Sequence, residues 1–128
     1  MRLLLDTHAF LWWIMDSPEL SLRVRDAIRN PANELFLSVA SAWEITIKVN
    51  LGRLHLPDRP DRFIPGQMAK NAIGSLPIEM SHALSVSRLP AIHRDPFDRI
   101  IIAQSMLEKI PIITRDADIG KYKAKTFW

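Results

Sequence analysis

The sequence contains no cysteine and no long apolar segment. Without cysteine the chain cannot form a disulfide, a thiolate metal site or a cysteine nucleophile, so any metal must bind through oxygen or imidazole. The longest uncharged apolar run, at positions 9–15, is far shorter than the roughly 20 residues that span a bilayer. Asp6 directly follows the leucines at 3–5, so we expect no export signal and a cytoplasmic protein without a membrane segment.

Length and charge are those of an ordinary globular domain. The 128 residues are enough for one hydrophobic core, and we expect a single domain over residues 1–128. Lys and Arg number 17 against 14 Asp and Glu, which gives a formal net charge of +3. This small excess of positive charge favours an anionic partner only weakly, because many ordinary domains carry as much.

Short apolar runs alternate with longer amphipathic stretches along the chain. The predicted strands are 3–5, 35–39, 76–79, 112–114 and 126–128. The predicted helices lie around residues 10–14, after a cap at Ser17, and at 41–51, 63–71, 81–89 and 95–109. Ser81 is the predicted cap of the helix at 81–89. Alternating helices and apolar strands predict an α/β fold with a mostly parallel sheet that helices cover on both faces.

Acidic residues stand where the predicted strands end. Asp6 follows the first strand, and Asp116 follows the strand at 112–114. Glu44 and Asp98 lie near the starts of two predicted helices. Because ligands of parallel sheets bind beyond the carboxyl ends of the strands, we expect these four carboxylates at one rim of the sheet.

Carboxylates that lie close together repel one another. At an effective dielectric constant of ~20, each close pair costs roughly 4 kcal/mol, and a bound cation removes that cost. Mg²⁺ and Mn²⁺ prefer oxygen ligands, and such an ion lowers the pKa of water and neutralises charge on a reacting phosphodiester. The acids therefore predict metal-assisted phosphodiester hydrolysis.

Most of these acids also have a purely structural interpretation. The structural alternatives are a helix cap for Asp95, a helix-dipole contact for Asp98, an i, i+4 ion pair with Lys48 for Glu44, and a turn or cap for Asp116 and Asp118. Asp6 has no obvious structural task at the end of an apolar strand. The combination of acids therefore favours a functional site more than any single residue does.

The sequence resembles PIN-domain ribonucleases of the VapC toxin type, from type II toxin–antitoxin systems. The matching segments are LLLDTHAFLWW at 3–13, SVASAWEITIKVNLGRL at 38–54, LPAIHRDPFDRIIIAQS at 89–105 and IITRDADIGKY at 112–122. The resemblance implies a three-layer α/β/α sandwich, an acidic pocket that binds Mg²⁺ or Mn²⁺, and endonucleolytic cleavage of RNA. It also implies homodimers and inhibition by a small antitoxin encoded alongside.

The resemblance places the four acids of the family on Asp6, Glu44, Asp98 and Asp116. It implies that Asp6 and Asp98 bind the metal directly, while Glu44 and Asp116 complete the pocket on a second metal or by holding metal-bound water. Water then attacks phosphorus in line without a protein nucleophile, which leaves a 5′-phosphate and a 3′-hydroxyl. Asp95 and Asp118 lie close enough in sequence to compete for the third and fourth roles, but we expect Asp95 to cap a helix and Asp118 to support the metal. Thr7 and Thr114 are expected to supply hydroxyl groups.

Basic residues flank the acidic segments. An acidic pocket repels phosphate unless cations surround it, so we expect Arg53, Arg99 and Arg115 to contact the substrate. Arg94 and the lysines at 121, 123 and 125 also lie near the acids, although a solvated surface would have the same composition.

We expect the histidines and tryptophans to have structural roles. We do not expect His8, His82 or His93 to be metal ligands or general bases, because no two of them have the helical spacing of ligands. Trp12, Trp13 and Trp43 are predicted in the core by their spacing, and an exposed one would instead indicate a protein interface.

Two other classes of function stay open. A catalytically silent PIN-like module that binds RNA or a protein would be expected to lack one or more of the acids. A phospho-acceptor signalling domain would have an adjacent acidic pair near the first strand and a lysine after a late strand. Here leucine precedes Asp6, and Arg115 and Asp116 follow Thr114.

Overall fold

A fully parallel five-stranded sheet forms the centre of the protein in a computed structural model that describes residues 1–128. The strands are β1 (Arg2–Leu5), β2 (Glu34–Ser38), β3 (Ile73–Leu76), β4 (Ile112–Ile113) and β5 (Thr126–Phe127). They lie in the order β3-β2-β1-β4-β5, and each neighbouring pair is parallel. The carboxyl ends of all strands therefore meet at one edge of the sheet.

Helices cover both faces of this sheet. They are α1 (Thr7–Ile14), α2 (Leu22–Arg29), α3 (Val39–Asn50), α4 (Pro60–Lys70), α5 (Met80–Ser85) and α6 (Pro96–Glu108). In β1, Leu3 and Leu5 belong to one buried cluster and Leu4 to a second, because successive side chains point to opposite faces. The predicted α/β/α sandwich is confirmed. None of the helices combines the length and apolar character needed to cross a membrane.

Several predicted boundaries are wrong. The third strand lies at Ile73–Leu76 rather than 76–79, and its Gly74 and Ser75 are exposed because it is an edge strand that pairs only with β2. The helix after Ser17 begins at Leu22, and its cap is Ser21. Helix α4 begins at Pro60 rather than at residue 63.

Two further predictions about residues are corrected by local contacts. Ser81 lies inside α5 and does not cap it, because Glu79 and the buried His82 form a reciprocal capping box at its start. Trp43 is not in the core, since 60% of it is exposed and its ring meets the Phe97 ring edge-on at 5.3 Å. Trp12 and Trp13 are half-buried and pack against the core.

Replacing Ser21 by alanine tests the assigned cap of α2. The Ser21 hydroxyl accepts a hydrogen bond from the Val24 amide at 3.1 Å, so we expect Ser21→Ala to lower the free energy of unfolding by about 1 kcal/mol. The matched control is Ser17→Ala. Because Ser17 caps no helix, this change should lower the free energy of unfolding by only about 0.3 kcal/mol. Urea unfolding of both variants measures the difference. A larger loss for Ser17→Ala would contradict the assignment.

Candidate metal and active site

Asp6 stands at the junction between the central strand and the first helix. It follows β1 and caps α1, and its Oδ1 accepts a hydrogen bond from the Ala9 amide at 2.7 Å. Asp6 therefore has the structural task that the sequence did not reveal. Only 6% of the residue is exposed. Burial raises the pKa of Asp6, although hydrogen bonds from the Thr114 hydroxyl and the Ala9 amide oppose that rise.

Glu44 reaches the same edge of the sheet from α3. It is buried, and the Thr7 hydroxyl donates a hydrogen bond to its Oε1 at 2.7 Å. Its Oε2 lies 2.8 Å from Lys48 Nζ, so the ion pair that the spacing suggested is present. The same hydroxyl of Thr7 lies 2.9 Å from Ser41 Oγ. These contacts satisfy both oxygens of Glu44 and fix the carboxylate beside α1.

Asp98 enters the site from the first turn of α6. Asp95 caps this helix, as predicted, and accepts hydrogen bonds from the Phe97 and Asp98 amides at 2.8 and 3.3 Å. Burial, together with the negative charge of Asp95, raises the pKa of Asp98 to about 7, and Glu44 and Asp6 contribute in the same direction. Asp98 is thus a carboxyl group that gains and loses its proton near neutral pH.

His93 lies in the site, although its spacing in the sequence predicts no role there. Its Nε2 lies 3.0 Å from Oδ2 of Asp98 and 3.0 Å from Oδ2 of Asp116. Ligand atoms of these three residues lie within 4.8 Å of one another, a spacing that would accommodate a metal ion. His93 lies in the loop before α6, where the sequence offers no periodic signal, so only the folded chain reveals the contact.

Two hydrogen bonds orient the His93 segment. The His93 amide donates to the Tyr122 hydroxyl at 2.7 Å, and the Asp95 amide donates to His93 Nδ1 at 3.2 Å. With Nδ1 accepting, Nε2 carries the hydrogen that is shared by the two carboxylates. Burial acts to lower the pKa of His93, but the hydrogen bond to Asp116 and the charges of Asp98 and Asp116 raise it overall.

Asp116 and its neighbours complete the acidic edge beyond β4. Burial acts to raise the pKa of Asp116, but the hydrogen bond from His93 and the one from the Asp118 amide lower it overall. The Asp116 amide in turn donates to the buried Thr114 hydroxyl at 3.0 Å. The Asp118 carboxylate lies 2.9 Å from Lys121 Nζ, and half of the Asp118 side chain is exposed. Asp118 therefore shapes the loop that presents Asp116.

The three arginines expected at the substrate have different surroundings. Arg115 is exposed, pairs with Glu19 and lies over the Trp12 ring. Arg53 lines a concavity that also includes Glu44 and Lys48. Arg99 instead has a structural role: its guanidinium donates to the carbonyl groups of Val86, Leu89, Pro90 and His93 and to the Tyr122 hydroxyl. These bonds hold the 86–93 segment and leave Arg99 poorly placed for the substrate contact predicted for it.

The chain is similar to known proteins in both sequence and fold. The PIN domain family model matches residues 3–125. The protein named Ribonuclease VapC16, from Mycobacterium tuberculosis (strain ATCC 25618 / H37Rv), is 34% identical over 64 residues. That match spans 50% of this chain and 44% of the relative, so the chain spans under half the length of the curated relative that it matches.

Two solved structures have the same fold. One is VapBC2 from Rickettsia felis bound to a promoter DNA fragment, with a TM-score of 0.72 and 11% identity, covering 99% of this chain and 98% of that chain. The other is DNA-bound VapBC from Salmonella typhimurium, with a TM-score of 0.72 and 14% identity, covering 99% and 97%. At these identities the likeness establishes the fold alone.

Metal affinity should rise with pH because Asp98 must lose its proton to bind a cation. With a pKa of about 7, roughly one tenth of Asp98 is ionised at pH 6 and nine tenths at pH 8. We therefore expect the Kd for Mn²⁺ to be about tenfold weaker at pH 6 than at pH 8, with proton release on binding. The raised pKa of His93 acts in the same direction.

Isothermal titration calorimetry at the two pH values measures this difference. Asp61→Asn is the matched control, because Asp61 is an exposed residue of α4 that pairs with Arg59. That variant should keep the full pH dependence. Equal Mn²⁺ affinity of the unmodified protein at pH 6 and pH 8 would contradict the role of Asp98.

Proposed function

Because this chain belongs to the PIN domain family, we propose that it is a metal-dependent endoribonuclease and the toxin of a type II toxin–antitoxin pair. The observation that carries the proposal is the meeting of four carboxylates from distant parts of the sequence at one edge of the sheet: Asp6, Glu44, Asp98 and Asp116. The ribonuclease name of the Mycobacterium tuberculosis relative supports RNA as the substrate.

The donor set at this edge fits a hard divalent cation. Carboxylate oxygens dominate it, which favours Mg²⁺ or Mn²⁺ over metals that prefer sulfur or several imidazoles. Asp6 and Asp98 are the proposed direct ligands, with Asp116 beside them. When bound, the ion would act as a Lewis acid that lowers the pKa of water and balances negative charge on a phosphodiester.

The surrounding side chains hold these carboxylates in place before any substrate arrives. The His93 N–H links Asp98 to Asp116, so two groups that would repel each other stay within reach of one ion. Thr7 and Lys48 fix the two oxygens of Glu44, which is then oriented to position water at the phosphate. Attack of water on phosphorus with cleavage of the bond to the 3′-oxygen, which leaves with a proton, gives a 5′-phosphate on one product and a 3′-hydroxyl on the other.

Cations on two sides of the acids provide a path for a polyanion. Arg115 lies beside Asp6 and Asp116 in one concavity. Arg53 and Arg94 lie with Glu44 in another. An RNA backbone that crosses from one to the other would pass over the acids while positive charge on both sides offsets its repulsion.

The other two classes of function fit the structure less well. A catalytically silent PIN-like module would be expected to lack one or more of the acids, yet all four are present and meet at one edge of the sheet. A phospho-acceptor signalling domain has the flavodoxin-like strand order 2-1-3-4-5. The order here is 3-2-1-4-5, which places different strands at the centre.

Replacing Asp6 or Asp98 by asparagine tests the nuclease directly. Each change keeps the shape of the side chain and removes its charge, so we expect RNA cleavage in Mg²⁺ to fall by at least about a hundredfold. Gel analysis of a labelled RNA measures the rate, and circular dichroism checks that the fold is intact. Asp61→Asn should cleave at the normal rate. Undiminished cleavage by both Asp6→Asn and Asp98→Asn would refute the assignment.

An apolar concavity near the acids suggests a protein partner. It is lined by Ala40, Trp43, Ile78, Pro96, Phe97 and Ile100. No charged side chain lines it, and Trp43 is largely exposed, as is typical of an interface that a partner covers. We assign this surface to a homodimer contact, which would place two acidic sites on one assembly. The likeness to VapBC complexes supports a small cognate antitoxin as a further partner, in the cytoplasm where RNA is available.

Changing Trp43 to glutamate tests the dimer assignment. A buried carboxylate at the centre of an apolar interface carries a large desolvation cost, so we expect Trp43→Glu to convert the dimer to a monomer at micromolar concentration. Light scattering coupled to gel filtration measures the mass. The matched control is Leu51→Glu, which also changes an exposed apolar residue of the same region but outside this concavity. A monomeric unmodified protein, or a dimer that survives Trp43→Glu, would contradict the assignment.

A further inference from the structure

A second feature of the acidic edge is a cavity with a flat, cationic wall. The cavity is lined by Asp6, His8, Trp12, Arg115 and Asp116. Two of these residues belong to the acidic site described above. The other three are two rings and a planar guanidinium group. Neither the metal nor the hydrolysis proposed above requires the rings, and Arg115 has served there only as a positive charge beside the acids.

The planar groups in this cavity lie against one another. The His8 and Trp12 ring centroids are 5.6 Å apart, with an angle of 36° between their planes. The Arg115 guanidinium lies 4.5 Å from the centre of the Trp12 ring. His8 is exposed and about half of the Arg115 side chain is exposed, so both present a surface to an incoming ligand.

Contacts on the side away from the cavity hold the wall in place. Trp12 packs against the core and meets the Trp128 ring edge-on at 5.9 Å. Arg115 is held between Trp12 and an ion pair with Glu19. A surface that is fixed in advance loses little conformational entropy when a ligand binds, which favours affinity.

Aromatic rings and arginine planes are the groups on which proteins stack unpaired nucleobases. The cavity adjoins the acids that would surround the scissile phosphate, so a base placed there belongs to a nucleotide next to that phosphate. We infer that His8, Trp12 and Arg115 form a nucleobase subsite that binds this base by stacking. The inference rests on the proposed ribonuclease function and adds a way to hold single-stranded RNA at the acids.

The competing interpretation is a structural clamp. The contacts among Arg115, Glu19 and Trp12 connect the loop after α1 to the loop after β4, and they could serve stability alone. A clamp does not require His8, whose side chain makes no hydrogen bond to the rest of the chain and lines the cavity. A clamp also predicts no dependence on the identity or presence of any base in the substrate.

Abasic substitution of the substrate separates the two interpretations. A short single-stranded RNA is prepared with one abasic nucleotide at each position in turn, and kcat and KM are measured for each. Loss of one stacked base should raise KM about tenfold at a single position next to the cleavage site, with little change in kcat. His8→Ala should raise KM on the intact RNA by a similar factor and cause no further loss on that abasic RNA.

Two variants make the test specific. Arg115→Lys keeps the positive charge and removes the plane, so it should behave as His8→Ala does. His55→Ala replaces another exposed histidine away from the cavity and should leave both KM values unchanged. Thermal unfolding of each variant separates the two interpretations. If the contacts are only a clamp, Arg115→Lys should lower the melting temperature without raising KM, whereas a base subsite requires His8→Ala to raise KM at an unchanged melting temperature.

The outcomes separate the subsite from the enzyme. If the protein cleaves RNA and no abasic position raises KM, or if His8→Ala and the abasic change act additively, the subsite is wrong and the proposed function stands. If the unmodified protein neither cleaves nor binds RNA, both proposals are wrong.

Discussion

Repulsion among carboxylates at the carboxyl ends of the sheet is the constraint to which the surrounding structure responds. A parallel sheet brings Asp6 and Asp116 to the same edge, and α3 and α6 add Glu44 and Asp98. Each acid has a compensating partner: the Ala9 amide for Asp6, Thr7 and Lys48 for Glu44, and His93 for Asp98 and Asp116. These contacts stabilise the negative charge of the carboxylates at a partly desolvated edge of the sheet. A bound cation could take over from some of these contacts.

The structural roles of these residues are compatible with the chemical roles proposed for them. Asp6 caps α1 with one oxygen and still lines the cavity. Glu44 forms its i, i+4 ion pair with Lys48 and is nonetheless buried beside Thr7. A helix cap fixes the position of a carboxylate without neutralising it. The same residue can therefore cap the helix and serve as a proposed metal ligand. The structural interpretation is confirmed for Glu44, and Asp6 has a structural task that was not expected of it.

The sequence predicted the layers of the fold and the convergence of the acids, because both depend on patterns within a few residues. Apolar runs identified β1 and β2, and Asp95-Pro96 identified the start of α6. The misplaced or missed features depend on contacts between distant segments. Edge strand β3 contains Gly74 and Ser75 and lacks an apolar run. His93 reaches Asp116 across 23 positions, and Arg99 binds carbonyl groups of a loop, which no local pattern encodes.

The pairing of β1 with β4 has a consequence for how the chain acquires this site. Leu4 pairs with Ile112, so the central contact of the sheet closes nearly the whole chain into one loop. Closing so long a loop carries a large entropic cost before any contact repays it, and folds with such non-local pairings form slowly. Asp6 and Asp116 come together only through that closure. Folding intermediates that lack it hold the two carboxylates apart, so any ability to bind a cation between them arises only with the complete native sheet.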